Sequence, residues 1–382
     1  MAQKTIIKTK TSPSYRRIVV KLGTMLLTSG KGDIDQKVVS RLVTQIAQLH
    51  RRGVGITVVS SGAVALGRGK LGVTRRIKGI PFKQVMAAVG QNHLMSMYER
   101  FFRRHNVVVA QALLSRLDLS DRAGYLNARN TLMALLDLKV VCIVNENDTV
   151  AVDELQDTKF GDNDTLSAMV ANLVDADLLV ILTDTDGLYT DDPRRCSDAC
   201  LIPVVAKIDH SIERLATGTH DGPGTGGMIT KIEAAKMATA CGIRVVVANG
   251  NETDIILKLA RGSTNGTHFL PAGAELGSRQ RWMLSGLSTR GRLVVDYGAA
   301  AALKKQNRSL LSAGIREVQG KVRRGDIVNI YDLEGNLLGC GLTNYNAGDI
   351  EAIKGVHSTK IAGLLGYEYG AEVVHRNNLV IL

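Results

Sequence analysis

Continuous apolar runs alternate with helically spaced stretches through the first 270 residues. The runs are RIVVKLG (17–23), GITVVSSG (55–62), VVVAQALL (107–114), KVVCIVNEND (139–148), DLLVILTDTDG (177–187) and RVVVANG (244–250). Between them, helical spacing covers Lys37–Arg52, Phe82–His105, Ala123–Leu138 and Asn163–Val174. A strand with one wet face alternates polar and apolar residues, whereas these runs hold consecutive apolar residues without that alternation. They predict strands buried on both faces. Alternation with helices then gives an α/β fold, a mainly parallel sheet sandwiched by helices.

The texture changes after Pro271. RLVVD, GDIVNIYDLEGNLLGCGLTNY and AEVVHRNNLVIL are short, alternating and broken by Gly, Asn and Asp, with one short helix expected over Ala299–Gln306. This reads as a small β-rich module. At 382 residues the chain is long for a single core, so two domains are expected. The expected division is a tail over 1–15, a domain over 16–270, a linker over 271–288, the β module over 289–372 and a terminal segment over 373–382.

In an open parallel sheet, ligands sit beyond the C-terminal ends of the strands. Polar or glycine signatures recur there: Lys21-Leu22-Gly23-Thr24, Ser60-Ser61-Gly62, Asn145-Glu146-Asn147-Asp148, Thr183-Asp184 and Asn249-Gly250. A fifteen-residue stretch, TGTHDGPGTGGMITK (217–231), runs into a helical pattern. Glycines let backbone amides approach an anion, a helix start adds its positive dipole end, and Lys231 adds a full charge. A phosphate cradle is one reading and a plain Gly-rich surface loop the other. Asp148, Asp162, Asn163 and Asp164 gather carboxyl and amide groups into two strand-to-helix loops. Asn163 or Asp164 would serve equally as a helix cap.

Composition narrows the field only a little. Apolar and charged contents of 45% and 22% are those of a soluble globular protein, no apolar run is long enough for a bilayer, and no secretory signal opens the chain. A cytoplasmic protein without membrane partners is expected. Five scattered cysteines complete no zinc set and read as reduced thiols. The net charge of +12 lies mostly in the first part, since from Gly286 onward twelve Lys/Arg face nine Asp/Glu. Such a surface attracts any polyanion, or is simply solvated.

No GxxxxGK[ST] occurs. Gly67-Arg-Gly69-Lys-Leu-Gly72 matches GxGxxG but follows a helical stretch and lacks an acidic residue about twenty positions on, so a dinucleotide site is rejected.

In order along the chain stand VVKLGT (19–24), VVSSGAVALG (58–67), AAVGQ (87–91), YLNARNTL (125–132), VNENDTVAV (144–152), FGDNDTLSA (160–168), TDTDGLYTDDPR (183–194) and GTGGMITK (224–231). This set strongly resembles the amino-acid kinase family, and within it the kinases that act on the side-chain carboxylate of L-glutamate. GKVRRGDIVNIYD with GLTNY resembles a PUA domain. The resemblance implies ATP-dependent formation of L-glutamyl 5-phosphate, the first step toward proline, with Mg²⁺ carried on the nucleotide phosphates and no metal bound by the protein itself. Carried over by motif position, Lys21, Asp164 and Lys231 would be catalytic, the lysines neutralising phosphate charge and Asp164 orienting them. Ser61, Gly62, Asn145, Asp148 and Asn163 would hold glutamate. Lys21, Gly23, Thr183, Asp184, Thr225, Gly226, Gly227, Met228, Ile229, Thr230 and Lys231 would hold ATP. Proline as feedback inhibitor and a homo-oligomer are further implications, and RNA binding by the PUA-like module is open. Departures from the family pattern are Met25, Asn130, a lengthened 152–160 segment and the first fourteen residues. The alternatives are a kinase for aspartate, acetylglutamate or carbamate, or an RNA-binding protein on a kinase-like scaffold.

Overall fold

The computed structural model describes residues 15–28, 34–73, 79–115, 118–119, 122–150, 163–193, 195–217, 227–271, 289–306 and 308–382. They fall into two compact units that interleave in sequence. The first takes in the described residues up to Leu114 and those within Thr131–Ala235 and Arg244–Leu270, and the second takes in those within Ser115–Asn130, Lys236–Ile243 and Pro271–Leu382. A single cut in the chain, as composition suggested, does not describe this grouping.

The first unit is built on eight strands: β1 (Arg17–Leu22), β2 (Gly55–Ser60), β3 (Val109–Leu114), β4 (Val141–Glu146), β5 (Leu178–Thr183), β6 (Val204–Val205), β7 (Arg244–Asn249) and β8 (Thr267–Phe269). Their order is β3-β4-β2-β1-β5-β7-β8-β6. Every pairing is parallel except β7 with β8. Each apolar run of the sequence is therefore a strand, and β1, β2, β4 and β5 are buried almost along their whole length.

Helix Gln36–Arg51 begins where Asp35 caps it, its Oδ1 accepting from the amides of Lys37 at 2.9 Å and Val38 at 3.4 Å. It lays Leu42, Val43 and Ile46 into one core with Val20, Val58 and Val180. Helix Asn163–Leu173 is different: every residue from Asp164 to Leu173 is buried. A helix buried on every side has no solvent face, and this one lies against β1, β2, β4 and β5. Its first turn is thereby carried to the C-terminal edge of the sheet.

Helices Ala63–Lys70 and Ile80–Arg103 cross at backbone contact. A Cβ on Gly67 would lie 1.9 Å from the Met86 carbonyl oxygen, and one on Gly90 would lie 1.7 Å from that of Ala63. The glycines of the GxGxxG match thus include one that serves helix packing.

The second unit carries β9 (Thr289–Val295), β10 (Leu310–Leu311), β11 (Ile315–Gly320), β12 (Ile327–Tyr331), β13 (Leu337–Thr343) and β14 (Glu372–Ile381), in the order β10-β14-β13-β12-β9-β11. Their core includes Leu293, Val295, Val328, Ile330, Leu338 and Tyr345. The β module expected to end at 372 continues, because β14 pairs with β10 and β13 in the same sheet. Helices Ala347–Ile353 and Ile361–Leu365 were not anticipated in a module read as strands. The first is capped by Asn346, whose Oδ1 accepts from the Asp349 amide at 2.9 Å.

In an ordinary helix Gly→Ala gains about 0.4–1 kcal/mol through the unfolded chain. At Gly90 the sign reverses, since the added methyl overlaps a backbone oxygen. Gly90→Ala is expected to destabilise by about 1–3 kcal/mol, read as a lower urea midpoint; an unchanged or raised midpoint refutes the contact.

Candidate active site

The five polar signatures lie along one edge. Leu22 is level with Ser60 and with Leu182, Val59 with Val144, and Thr183 with Asn249, so β4, β2, β1, β5 and β7 end side by side.

Asp164 is the centre of this edge. Its carboxylate is fully buried, with Oδ1 2.5 Å from Lys21 Nζ and Oδ2 3.1 Å from Lys231 Nζ. Thr230 Oγ1 donates to Oδ2 at 2.8 Å. Lys21 ends β1, Asp164 opens the central helix, and Thr230 and Lys231 lie in the first turn of helix Met228–Ala240. Both ammonium groups are nearly buried, at 3% and 6% residue exposure. Burial by itself would push the Asp164 carboxyl up. The Lys21 and Lys231 charges, with hydrogen bonds from Lys21 and Thr230, outweigh it and hold the group well below the usual carboxylate range.

Beside it lies an amide cluster. Asn163 Nδ2 donates to Ser61 Oγ at 2.9 Å and to Asn145 Oδ1 at 3.1 Å, and Asn145 Nδ2 donates to Gln91 Oε1 at 2.9 Å. The Ser61 amide donates to Leu22 O at 3.1 Å, tying this cluster to the end of β1. Gly62 has φ +107°, a conformation that favours glycine, and caps helix Ala63–Lys70. Beneath, Ser60 Oγ accepts from the buried Tyr98 hydroxyl at 2.8 Å and donates to Ser61 O at 2.9 Å. Asp148 lies in the turn after β4. Burial pushes its carboxyl up to about 6, partly opposed by the Lys83 charge.

On the other flank, Gly23 packs beside Lys21 with its amide donating to Leu182 O at 3.4 Å; a Cβ there would sit 3.6 Å from Lys21 Nζ. Thr183 Oγ1 donates to Asp184 Oδ1 at 3.0 Å, and Asp184 is exposed. Gly227 O lies 2.9 Å from Thr230 Oγ1 and accepts from Lys231 Nζ at 3.4 Å; Met228 and Ile229 begin the helix. Asp162, Thr225, Gly226 and most of the glycine-rich stretch lie outside the described residues, so its cradle geometry does too. Among the expected residues, Lys21, Asp164, Thr230 and Lys231 meet directly, as do Ser61, Asn145 and Asn163.

Gln91 and Tyr98 were not singled out from the sequence, and Ser60 entered only as part of the Ser60-Ser61-Gly62 signature. AAVGQ was visible as a motif, but a glutamine and a tyrosine on an apolar helix carry no sign of what they meet across the fold.

The chain matches the Amino acid kinase family over residues 16–249 and the PUA domain over residues 291–365. It is 54% identical over 368 residues to the glutamate 5-kinase of Dehalococcoides mccartyi strain CBDB1, covering 96% of this chain and 99% of that one. It is 47% identical over 366 residues to the glutamate 5-kinase of Herpetosiphon aurantiacus, covering 96% and 98%. The chain belongs to the amino acid kinase family. A UMP kinase structure from Bacillus anthracis aligns at 15% identity and a TM-score of 0.46, over 68% of this chain and 97% of that one. Among the described residues no helix is long and apolar enough to cross a membrane, and no group of three or more His, Cys, Asp or Glu is placed to hold a metal ion.

Because its folded-state pKa is depressed, Asp164 contributes stability above the unfolded carboxylate pKa of about 3.9 and loses it as pH falls toward the folded value. Asp164→Asn strands two buried ammonium groups, a loss of about 3–5 kcal/mol at pH 7. Denaturant titrations should show that gap narrowing from pH 5 down to pH 3. A gap that is absent, or constant with pH, would contradict the pairing.

Proposed function

We propose that the chain transfers the γ-phosphoryl group of ATP to the side-chain carboxylate of L-glutamate, giving L-glutamyl 5-phosphate and ADP, the first step of proline biosynthesis. The observation that carries this reading is the single buried carboxylate of Asp164 joined to Lys21 and Lys231 from separate elements. Relatives named glutamate 5-kinase at up to 54% identity over nearly the whole chain support the choice of acceptor.

Glutamate's carboxyl, with an ordinary pKa of about 4.3, is already ionised at neutral pH. Its oxygen attacks the γ-phosphorus, the bond to the β-phosphate oxygen breaks, and ADP leaves with that electron pair. No general base is needed. The barrier is one of bringing two anions into line and stabilising charge on the transferring group. Lys21 and Lys231 supply that stabilisation, and Asp164 keeps both ammonium groups at one point. Part of the phosphate charge would be neutralised by Mg²⁺ carried on the nucleotide.

Ser61, Gly62, Asn145, Asp148 and Asn163 hold glutamate. Gly23, Thr183, Asp184 and the segment Thr225–Lys231 hold ATP together with Lys21, and 16–270 forms the catalytic domain. Proline inhibition and homo-oligomerisation follow from the same reading. The PUA domain is assigned a structural or regulatory role, because twelve Lys/Arg against nine Asp/Glu make a weak electrostatic case for RNA.

An ATP-dependent hydroxamate assay across glutamate, aspartate and acetylglutamate tests the acceptor: activity should be highest on glutamate, and a higher rate on either other acid overturns it. Lys21→Met and Lys231→Met should each lower kcat by roughly 10²–10³ with folding retained; near-normal turnover in either discards the phosphate-stabilising role.

Asp148 pairs with the substrate ammonium only when ionised. Glutamate KM should therefore fall as pH rises from about 5 to about 7, through the Asp148 value of about 6. Glutamate's own carboxylates and ammonium do not titrate in that window. Asp148→Asn should raise KM and flatten the profile; an equally steep profile in that variant would exclude Asp148 as the titrating group.

A further inference from the structure

Gln91 follows Gly90 on helix Ile80–Arg103, where the backbone crossing with Ala63–Lys70 pins the chain. Its Oε1 accepts from Asn145, whose Oδ1 accepts from Asn163. The Asn163 nitrogen also lies 3.5 Å from the Ser60 carbonyl oxygen. That carbonyl, which can only accept, agrees with the Asn163 nitrogen being the atom on this side of the relay. The Asn145 oxygen must then face Asn163, its nitrogen must face Gln91, and the Gln91 oxygen must face Asn145.

Two atoms are left over. Gln91 Nε2 and Asn163 Oδ1 are both shut off from water, and neither has a hydrogen-bond partner among the described residues. Buried amide groups are seldom left so, and here one is a donor and the other an acceptor on one connected cluster. Asn163 is the neighbour of Asp164, which carries both lysines. A zwitterionic headgroup has the complementary chemistry, a carboxylate that accepts and an ammonium that donates.

We infer that Gln91 binds the acceptor amino acid directly, its Nε2 donating to the α-carboxylate while its Oε1 holds Asn145 so that Asn163 offers Oδ1 to the α-ammonium. The inference rests on the acceptor proposed above. The γ-carboxylate is not Gln91's partner, since that group must meet the phosphorus beside Lys21 and Lys231. Gln91 is therefore a specificity residue for the end of the substrate that does not react. A site built to hydrogen-bond a group discriminates strongly against an analogue lacking it, because its own buried atoms then stay unpaired.

The test compares Gln91→Glu with Gln91→Ala. The first keeps an oxygen for Asn145 and removes the free donor; the second removes both. Each should raise glutamate KM at least tenfold, with KM for ATP and the melting temperature near wild type and kcat within about threefold. The preference in kcat/KM for glutamate over 4-aminobutyrate, which lacks the α-carboxylate, should shrink at least tenfold in Gln91→Ala. If Gln91 only oriented Asn145, Gln91→Glu would keep the wild-type glutamate KM, and that result overturns the inference. An unchanged preference over 4-aminobutyrate in Gln91→Ala overturns it as well, even should Gln91→Glu fail to fold. A wild-type chain that forms no glutamyl hydroxamate would instead defeat the acceptor assignment on which the inference stands.

Discussion

One buried carboxylate shared by two ammonium groups is the constraint around which the first unit is arranged. Asp164 is fully buried and Lys21 and Lys231 nearly so, from a strand end, the head of a central helix and the first turn of another. None of the three charges would be stable there alone, because removing an ion from water costs several kcal/mol unless it is paired. The pairing holds the lysines in register before any ligand arrives. For a reaction that needs positive charge at one point and no proton transfer, that preorganisation is the main thing a protein can supply.

The scaffold explains how such a cluster is carried. A helix buried on all sides is held by the sheet on which it packs, so its first turn has little freedom relative to the ends of β1, β2 and β5. Ser61 and Asn145, from the ends of β2 and β4, then meet Asn163 from that same turn. A second helix pair, locked by Gly67 and Gly90 at backbone contact, brings Gln91 to Asn145. Phosphate-side and headgroup-side chemistry thus converge on consecutive residues, Asn163 and Asp164.

Much of this was legible in the sequence, for reasons that also mark its limits. Long apolar runs became β1, β2, β4, β5 and β7 because a strand buried on both faces has no polar alternative. The strand-end signatures fell on one edge because parallel strands end together. β6 and β8, two and three residues long, carry too little pattern to read, and β8 runs antiparallel to β7. Helix Ala347–Ile353 was hidden in a segment whose turns resembled those between strands, although Asn346 with Asp349 is an N-cap spacing. Gly67 matched part of a nucleotide fingerprint that its helical context already excluded, and the facing Met86 carbonyl shows what the glycine serves instead. The meeting of Asp164 with Lys231 spans 67 positions and has no local signature; it entered through family resemblance alone.

The most direct test is a crystal structure of the chain with ADP, Mg²⁺, glutamate and aluminium fluoride as a mimic of the phosphoryl group in flight. The account predicts Lys21 Nζ and Lys231 Nζ both within about 2.7–3.2 Å of the mimic's fluorines, each still bonded to Asp164. A mimic bound out of reach of either lysine, or a lysine released from Asp164, would contradict it.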